Sequence, residues 1–403
     1  MRFTIEKGIY RTVHSALKIT GKIIPFPIPT LLTGPGAVKK LAVNIKVRGL
    51  KNVLVVTDKV LMELKLPDPL LESLRQIGIN YSIYDDVQPN PTIENVEKGR
   101  EMYKKLNCDG LIGFGGGSPM DCAKIIGARI SNPYLPVKLM KGLFRVLLPI
   151  PPLFCVPTTA GSGSETTIAA VITDVSKHEK FAISDLKITP KIAVLDPELL
   201  VNLPPHITST TGMDALTHAV ESYIGINGTD FTNNNAESAV KLVFENLEES
   251  YKNGSNLEAR SNMLLASFQG GLAFTRTAVG YVHAIAHNMG GLYGVPHGLA
   301  NAVIMPYVLD YSRKDAEEKM AHLAVIGGLG TRAESNEVLS IKFIEKIKTM
   351  NKNMGIPVKI KELQEKDIPL IARRVLDEAN LLYPVPTIIS VQECEMLVRQ
   401  LLP

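Results

Sequence analysis

The chain has 403 residues, 45% hydrophobic and 21% charged, the balance of a globular protein long enough for two domains with their own cores. Its formal charge of +4 (44 basic, 40 acidic residues), with no Trp and no basic run interleaved with aromatics, argues against nucleic-acid binding. Four scattered cysteines without Cys-x-x-Cys spacing argue against a disulfide frame, and the apolar stretches fall short of a membrane span.

The first 29 residues carry Arg2, Lys7, Arg11, Lys18 and Lys22 against one acid, Glu6. They read as an arm packing on the body or on a partner subunit, not as a secretion signal, and a cytoplasmic protein is expected. From residue 30 to about 193, short apolar runs alternate with amphipathic stretches. NVLVVT (52–57) predicts a buried strand ending at Asp58, and 81–84 a second one. A helix is expected over 93–106, a third strand over 110–114, and a helix over 119–130 with Pro119 in its first turn. This repetition predicts a parallel sheet covered on both faces. Residues 131–152, basic and ending in prolines, read as an irregular insertion skirting the sheet, and strand-like pieces recur at 153–156, 169–173 and 192–195. Past Pro204-Pro205 the apolar spacing becomes three to four, predicting helices over 236–247, 259–274, 339–350 and 368–378. The expected architecture is an α/β nucleotide-binding domain with a parallel sheet over 1–204, arm included, and an all-α domain over 205–403.

Strand 110–114 runs directly into Gly115, Gly116, Gly117 and Ser118, and then into a helix. Glycines let backbone approach a ligand closely, and N–H groups at a helix start point toward an anion, so this loop is a candidate phosphate cradle. It is not the GxGxxG fingerprint, whose acidic residue follows the loop by about 20 positions. Here the candidate, Asp58, precedes the loop and serves equally as a helix N-cap. A ribose contact there would repel a 2′-phosphate and favour NAD over NADP. A second loop carries Thr158, Thr159, Ser162 and Ser164, read either as a docking loop or as an ordinary hydroxyl-rich turn.

Three of the eight histidines, His283, His287 and His297, fall within residues 280–306, and His218 follows Asp214 by four. A helical i, i+4 pair projects from one face, so Asp214 and His218 can address one atom. Imidazole plus carboxylate suits a first-row divalent metal, whereas a lone histidine is more often a satisfied core residue. Spacing does not settle the ligands: a His-x-x-x-His pair would choose His283 and His287 and leave His297 unexplained.

The pieces VVTDK, QPNPT, GGGSPMDCAK, PTTAGSGSE, GMDALTHA and the 283–297 cassette, in this order from residue 30 to at least 310, resemble the iron-containing (group III) alcohol dehydrogenase family. The resemblance implies a dehydroquinate synthase-like fold, with a nucleotide-binding α/β domain, a helical domain and the site in the cleft. It implies a metal held by Asp214, His218, His283 and His297, with His287 facing nicotinamide and substrate without being a ligand; His287 is then the candidate for relaying a proton between alkoxide and solvent. Asp58, Asn90, Gly115, Gly116, Gly117, Ser118, Asp121, Thr158, Thr159, Ser162 and Lys180 are the implied cofactor contacts. Ser162 stands where the family often has Thr, and the N-terminal extension and 131–152 depart from the pattern. The implied cofactors are NAD, ahead of NADP, and Fe(II), with Zn(II) in some relatives; dimers or larger homo-oligomers are the implied assembly.

The expected reaction interconverts a small alcohol and its aldehyde or ketone by hydride transfer. Two rivals are a dehydroquinate synthase-type lyase or glycerol dehydrogenase-like zinc enzyme on the same fold, and a non-catalytic binding protein. The apolar surroundings of the ligand segments fit a small uncharged substrate better than a sugar phosphate, which needs several basic groups.

Overall fold

The structure, a computed structural model, describes residues 2–177 and 179–403. It divides into two compact units, Phe26–Leu203 with Gly254–Leu264, and a helical unit formed by residues 2–25, Pro204–Asn253 and Leu265–Pro403. The helix α1 (Arg2–Ile23) comes first. The α/β unit follows as β1 (Thr30–Thr33), α2 (Ala37–Val47), β2 (Asn52–Val56), α3 (Lys59–Glu63), α4 (Asp68–Gln76), β3 (Asn80–Tyr84), α5 (Ile93–Lys105), β4 (Gly110–Gly115) and α6 (Gly117–Ser131). It continues through β5 (Gly142–Leu143), β6 (Leu153–Pro157), β7 (Ala169–Asp174), β8 (Glu179–Ser184) and β9 (Ile192–Leu195).

Six strands form one parallel sheet in the order β1-β9-β6-β4-β2-β3. Val53, Leu54, Val55 and Val56 are all fully buried. Side chains alternate between faces, so a run buried at every position means both faces are covered, as expected of a parallel sheet. On one face Leu54, Val56, Leu111, Leu153 and Cys155 join a core with Val96 of α5 and Met120, Ala123 and Ile126 of α6. The helices start where capping side chains allow: Thr92 and Asn95 form a reciprocal cap on α5, and Asp58 caps α3.

The segment 131–152 is more ordered than its composition predicts. Its strand β5 pairs with β8, which pairs with β7, making a separate three-stranded sheet. Val146 N–H donates to Asp185 (3.0 Å), Leu148 N–H to Asn132 (2.9 Å), and Lys138 pairs with Asp174 (2.6 Å). Two-residue strands carry no periodicity to read, which is why β5 escapes sequence analysis.

The helical unit contains α7 (Pro205–Ile224), α8 (Asp230–Lys252), α9 (Leu257–Thr277), α10 (Tyr281–Tyr293), α11 (His297–Ser312), α12 (Glu317–Ile326), α13 (Asn336–Asn353), α14 (Ile368–Leu382) and α15 (Val391–Arg399), the first turns of α9 clustering with the α/β unit. The arm, grouped above with the α/β domain, clusters with this helical unit instead. Arg11 donates to Val385 O (2.7 Å), Lys18 to Ile226 O (2.9 Å), and buried His14 lies 3.0 Å from Asn380 O. No helix among the described residues is long and apolar enough to cross a membrane.

Candidate functional site

Three helices of the helical unit converge on a polar cluster. Asp214 and His218 come from α7, His283 and His287 from α10, and His297 is the first residue of α11. The approach is close because two glycines make room. A Cβ on Gly298 would lie 2.4 Å from Thr210 O of α7, and one on Gly280 would lie 2.7 Å from Glu221 Oε1. Gly298 thus lets the start of α11 meet the α7 backbone one turn from Asp214.

Donor atoms of Asp214, His283 and His297 all lie within 4.8 Å of one another. His283 Nε2 is 3.8 Å and His297 Nε2 3.5 Å from Asp214 Oδ1. Two donors each about 2.1 Å from one ion stand at most about 4.2 Å apart, so both separations from Asp214 are short enough for a shared first-row divalent metal. Asn301, one turn after His297, points its amide into the same cluster. Nδ2 is 2.7 Å from Asp214 Oδ1 and 3.2 Å from both His283 Nε2 and His297 Nε2, while its buried Oδ1 has no partner among the described residues.

His218 sits beside this set with its ring stacked on His283 (centroids 4.5 Å) and Phe274 (4.2 Å). It is outside the group of three whose donors converge. His287 also lies apart: its Nδ1 is 2.7 Å from Glu378 Oε1, and its ring stacks on His297 at 5.4 Å. Spacing alone offers His283 with His287, whereas the geometry brings His283 together with His297.

Behind the cluster, Glu221 takes three hydrogen bonds. Gly280 N–H (2.8 Å) and His283 Nδ1 (2.6 Å) donate to Oε2, and Val282 N–H (2.7 Å) donates to Oε1. With its proton on Nδ1, His283 turns the Nε2 lone pair toward Asp214, as a metal-ligating imidazole requires. Burial pushes the Glu221 carboxyl up to about 7 against the backbone N–H groups of Gly280, Val282 and His283. Burial, followed by the neighbouring His218, His297 and His287, drives His283 well below its ordinary value, which keeps it neutral. Burial also pushes Glu378 up, but His287 and the Tyr383 hydroxyl (2.7 Å) outweigh it and hold that carboxyl below its usual range.

Sequence reasoning missed Glu221, Glu378 and Asn301. Glu221 lies three residues past His218 and Asn301 four past His297, so helical spacing held a signal for both. Glu378 is 91 residues from His287 and gives none.

In the α/β unit Asp58, the loop 115–118 and Thr158, Thr159 and Ser162 follow β2, β4 and β6, whereas Asn90 lies after β3, Asp121 in α6 and Lys180 in β8. Gly115 has φ +145°, and a Cβ there would meet Pro119 Cγ at 2.7 Å and Leu61 Cδ1 at 2.9 Å. Thr158 N–H donates to Gly115 O (3.0 Å), and Cβ atoms on Gly116 and Gly117 would lie 3.5 Å from Thr159 and 3.2 Å from Ser162. Asn90 N–H donates to Ser118 Oγ (3.3 Å), and Lys180 Nζ donates to Asn90 Oδ1 (2.7 Å). Burial lowers the Lys180 pKa. Asp58 Oδ1 caps α3 through Leu61 N–H (3.0 Å). Asp121 is half-buried with both oxygens occupied, by Ser164 Oγ (2.6 Å) and Val171 N–H (2.8 Å). It therefore ties α6 to the hydroxyl loop and to β7.

Known proteins resemble this chain along nearly its whole length. The family model described as iron-containing alcohol dehydrogenase matches residues 29–197, and that of the family's C-terminal domain matches residues 208–402. The NAD-dependent methanol dehydrogenase of Bacillus methanolicus is 36% identical over 376 residues, covering 93% of this chain and 98% of the relative. The 1,3-propanediol dehydrogenase of Citrobacter freundii is 39% identical over 351 residues, covering 86% and 90%. Among solved structures, a 1,3-propanediol oxidoreductase superposes with a TM-score of 0.90 at 36% identity, covering 93% of this chain and 98% of its own. An alcohol dehydrogenase from Oenococcus oeni also gives 0.90, at 35% identity and 93% and 99% coverage. Both halves of the molecule, the glycine loop and the histidine cluster alike, thus fall inside one family, and the chain is an oxidoreductase belonging to the iron-containing alcohol dehydrogenases.

Proposed function

We propose that this protein interconverts a short, uncharged alcohol and its aldehyde with NAD(H), using Fe(II) held by Asp214, His218, His283 and His297. The observation that carries this reading is the convergence of Asp214, His283 and His297 in front of Glu221. One carboxylate and three neutral imidazoles leave a divalent ion near +1. When bound, such an ion supplies Lewis acidity toward a substrate oxygen, and nicotinamide gives or takes the hydride.

The chain's own residues prepare that chemistry. Glu221 fixes the tautomer of His283, and Asp214 supplies the only carboxylate oxygen of the proposed ligand set. His287, oriented by Glu378, is our candidate for moving the proton between substrate oxygen and solvent, its side chain being about a third exposed (34%). Phe274, stacked on His218, presents an apolar wall, and the segments GMDALTHAV and HAIAHNMGGLYG carry no Lys or Arg. That composition favours a small neutral substrate over a phosphorylated one. The relatives are named for small neutral substrates: methanol, 1,3-propanediol and lactaldehyde, the last for an Escherichia coli reductase 34% identical to this chain.

The dinucleotide is assigned to loop 115–118 with Thr158, Thr159, Ser162, Asn90 and Lys180 around it, and Asp58 at the ribose. Asp121, with both oxygens engaged, is a positioning residue for the hydroxyl loop. NAD is supported by the named cofactor of the methanol dehydrogenase, and by an NAD+-bound sulfoacetaldehyde reductase structure that is 26% identical with a TM-score of 0.83.

The test is anaerobic NADH oxidation against a panel of short aldehydes, ketones and sugar phosphates, on apo-protein reloaded with Fe(II) or Zn(II). Fe(II) should restore turnover with a short aldehyde, and His283→Ala should abolish it. Turnover with zinc alone, or with a sugar phosphate alone, would overturn the proposal.

A further inference from the structure

Glu378 does not hold His287 alone. Its Oε1 takes two donors, Nδ1 of His287 (2.7 Å) and the hydroxyl of Tyr383 (2.7 Å). Both converge on one oxygen, so the carboxylate cannot swing away from His287 without also breaking its bond to Tyr383. With the proton on Nδ1, the His287 lone pair is on Nε2, the nitrogen needed for a proton relay. Tyr383 thus bears on His287 through Glu378.

The segment after Tyr383 decides where that hydroxyl sits. It reads Tyr383-Pro384-Val385-Pro386, and its two prolines have no N–H. The N–H of Val385 turns back to Tyr383 O (2.8 Å), so the stretch presents carbonyls that must find donors elsewhere. Ile226 N–H supplies Pro384 O (2.8 Å). The guanidinium of Arg11, in α1, supplies the next two, donating to Val385 O (2.7 Å) and to Pro386 O. The planar fork of an arginine suits two successive carbonyls, which the compact ammonium of a lysine does not. The flanks of the segment meet at Tyr281 of α10, two residues before His283. The Tyr281 hydroxyl donates to Asn380 Oδ1 and accepts from Ile389 N–H (3.2 Å). Buried His14, 3.0 Å from Asn380 O, is a second contact from α1 to the same stretch.

We propose that Arg11 is a positioning residue for His287, acting through the 384–386 carbonyls, Tyr383 and Glu378. The N-terminal helix then serves the reaction and does not merely brace the outside of the helical unit. The inference rests on the relay reading of His287 given above. A clamp that only fastens α1 would affect stability; this chain of contacts acts on turnover, and only while His287 is present.

The experiment uses the full chain loaded anaerobically with Fe(II), with NADH and propionaldehyde. Arg11→Met and Tyr383→Phe should each lower kcat about tenfold, the effect of one hydrogen bond, with KM for NADH and iron content unchanged. In a His287→Asn background neither should lower kcat further, because residues acting as one unit are not additive. NMR of the zinc-loaded, substrate-free protein, labelled on the histidine ring nitrogens, is the second readout. The His287 signals, identified by their loss in His287→Asn, should report the Nδ1–H tautomer in wild type and a mixture in both variants. Wild-type kcat in both variants, or a loss that persists in full in the His287→Asn background, would overturn the proposal and leave Arg11 a clamp. Wild-type kcat in His287→Asn itself would instead sink the relay reading; unaltered His287 signals in both variants would then overturn the positioning as well. Where Arg11→Met fails to fold, Tyr383→Phe, which removes a single hydroxyl, decides alone.

Discussion

Glu221→Gln keeps the shape of the side chain and changes only what it can accept. In the wild type Oε2 receives Gly280 N–H and His283 Nδ1, and Oε1 receives Val282 N–H. A carboxamide has one acceptor oxygen, so its NH2 must face a donor. With oxygen at the Oε2 position, Val282 N–H is left without an acceptor. With oxygen at Oε1, Gly280 N–H is orphaned, and His283 avoids the clash by moving its proton to Nε2, the atom that faces Asp214. One orphaned buried donor costs about 1–3 kcal/mol. At roughly 2–4 °C per kcal/mol, the melting midpoint of the helical unit should fall by about 2–12 °C. The metal is hit harder, because losing the outer partner of a ligating histidine lowers affinity about 10–100-fold. Competition against a chelator, followed anaerobically with Fe(II) and repeated with Zn(II), measures this alongside a thermal melt of the apo-protein. If the variant binds both ions as tightly as wild type, Glu221 does not set the His283 tautomer and the reasoning fails.

Four further outcomes are expected. Gly115→Ala places a Cβ against Pro119 and Leu61 at a strained φ of +145°, a cost of about 1–3 kcal/mol; NADH affinity, titrated by fluorescence, should drop tenfold or more with metal binding intact, and unchanged affinity would remove the loop from the cofactor site. Asp58→Ser keeps the helix cap but loses the charge, so the kcat/KM ratio of NADPH over NADH should rise at least tenfold; an unmoved ratio means that Asp58 does not select the cofactor. His287→Asn should lower kcat and remove one limb of its pH profile, and a profile identical to wild type contradicts the proton-relay role. Burial pushes Glu165 from 4.5 to about 7, so its contribution to stability is full below pH about 4.5, is lost as pH rises, and is gone above about 7. That gap corresponds to about 3 kcal/mol. Glu165→Gln should flatten the decline in urea-unfolding free energy between pH 5 and 8, whereas an unaltered slope would show that Glu165 stays solvated.

Much of the architecture was legible in the chain because burial imposes local patterns. NVLVVT has to be a strand covered on both faces, and strand-GGGS-helix has to be a tight turn with free N–H groups, whatever surrounds them. The helices beyond Pro205 declare themselves by spacing. The site was legible only as residue types. His-x-x-x-His spacing favours His283 with His287 because it reports shared faces of one helix, whereas the convergence of His283 with His297 depends on how α10 and α11 pack. Glu378 reaches His287 from 91 residues away, a contact that no local pattern encodes. The arm shows the same limit. Its sequence reads as an arm packing on the body or on a partner subunit, yet no local pattern says that Arg11 and Lys18 turn inward to carbonyls while Ile5, Ile9, Ile19 and Ile23 stay exposed.

The most direct test of the metal centre is anomalous diffraction at the iron edge, on crystals of protein loaded anaerobically with Fe(II). A single peak about 2.0–2.3 Å from Asp214 Oδ1, His283 Nε2 and His297 Nε2, with His218 completing the set, is the expected result. A peak bound by His283 with His287, or none at Asp214, would contradict it.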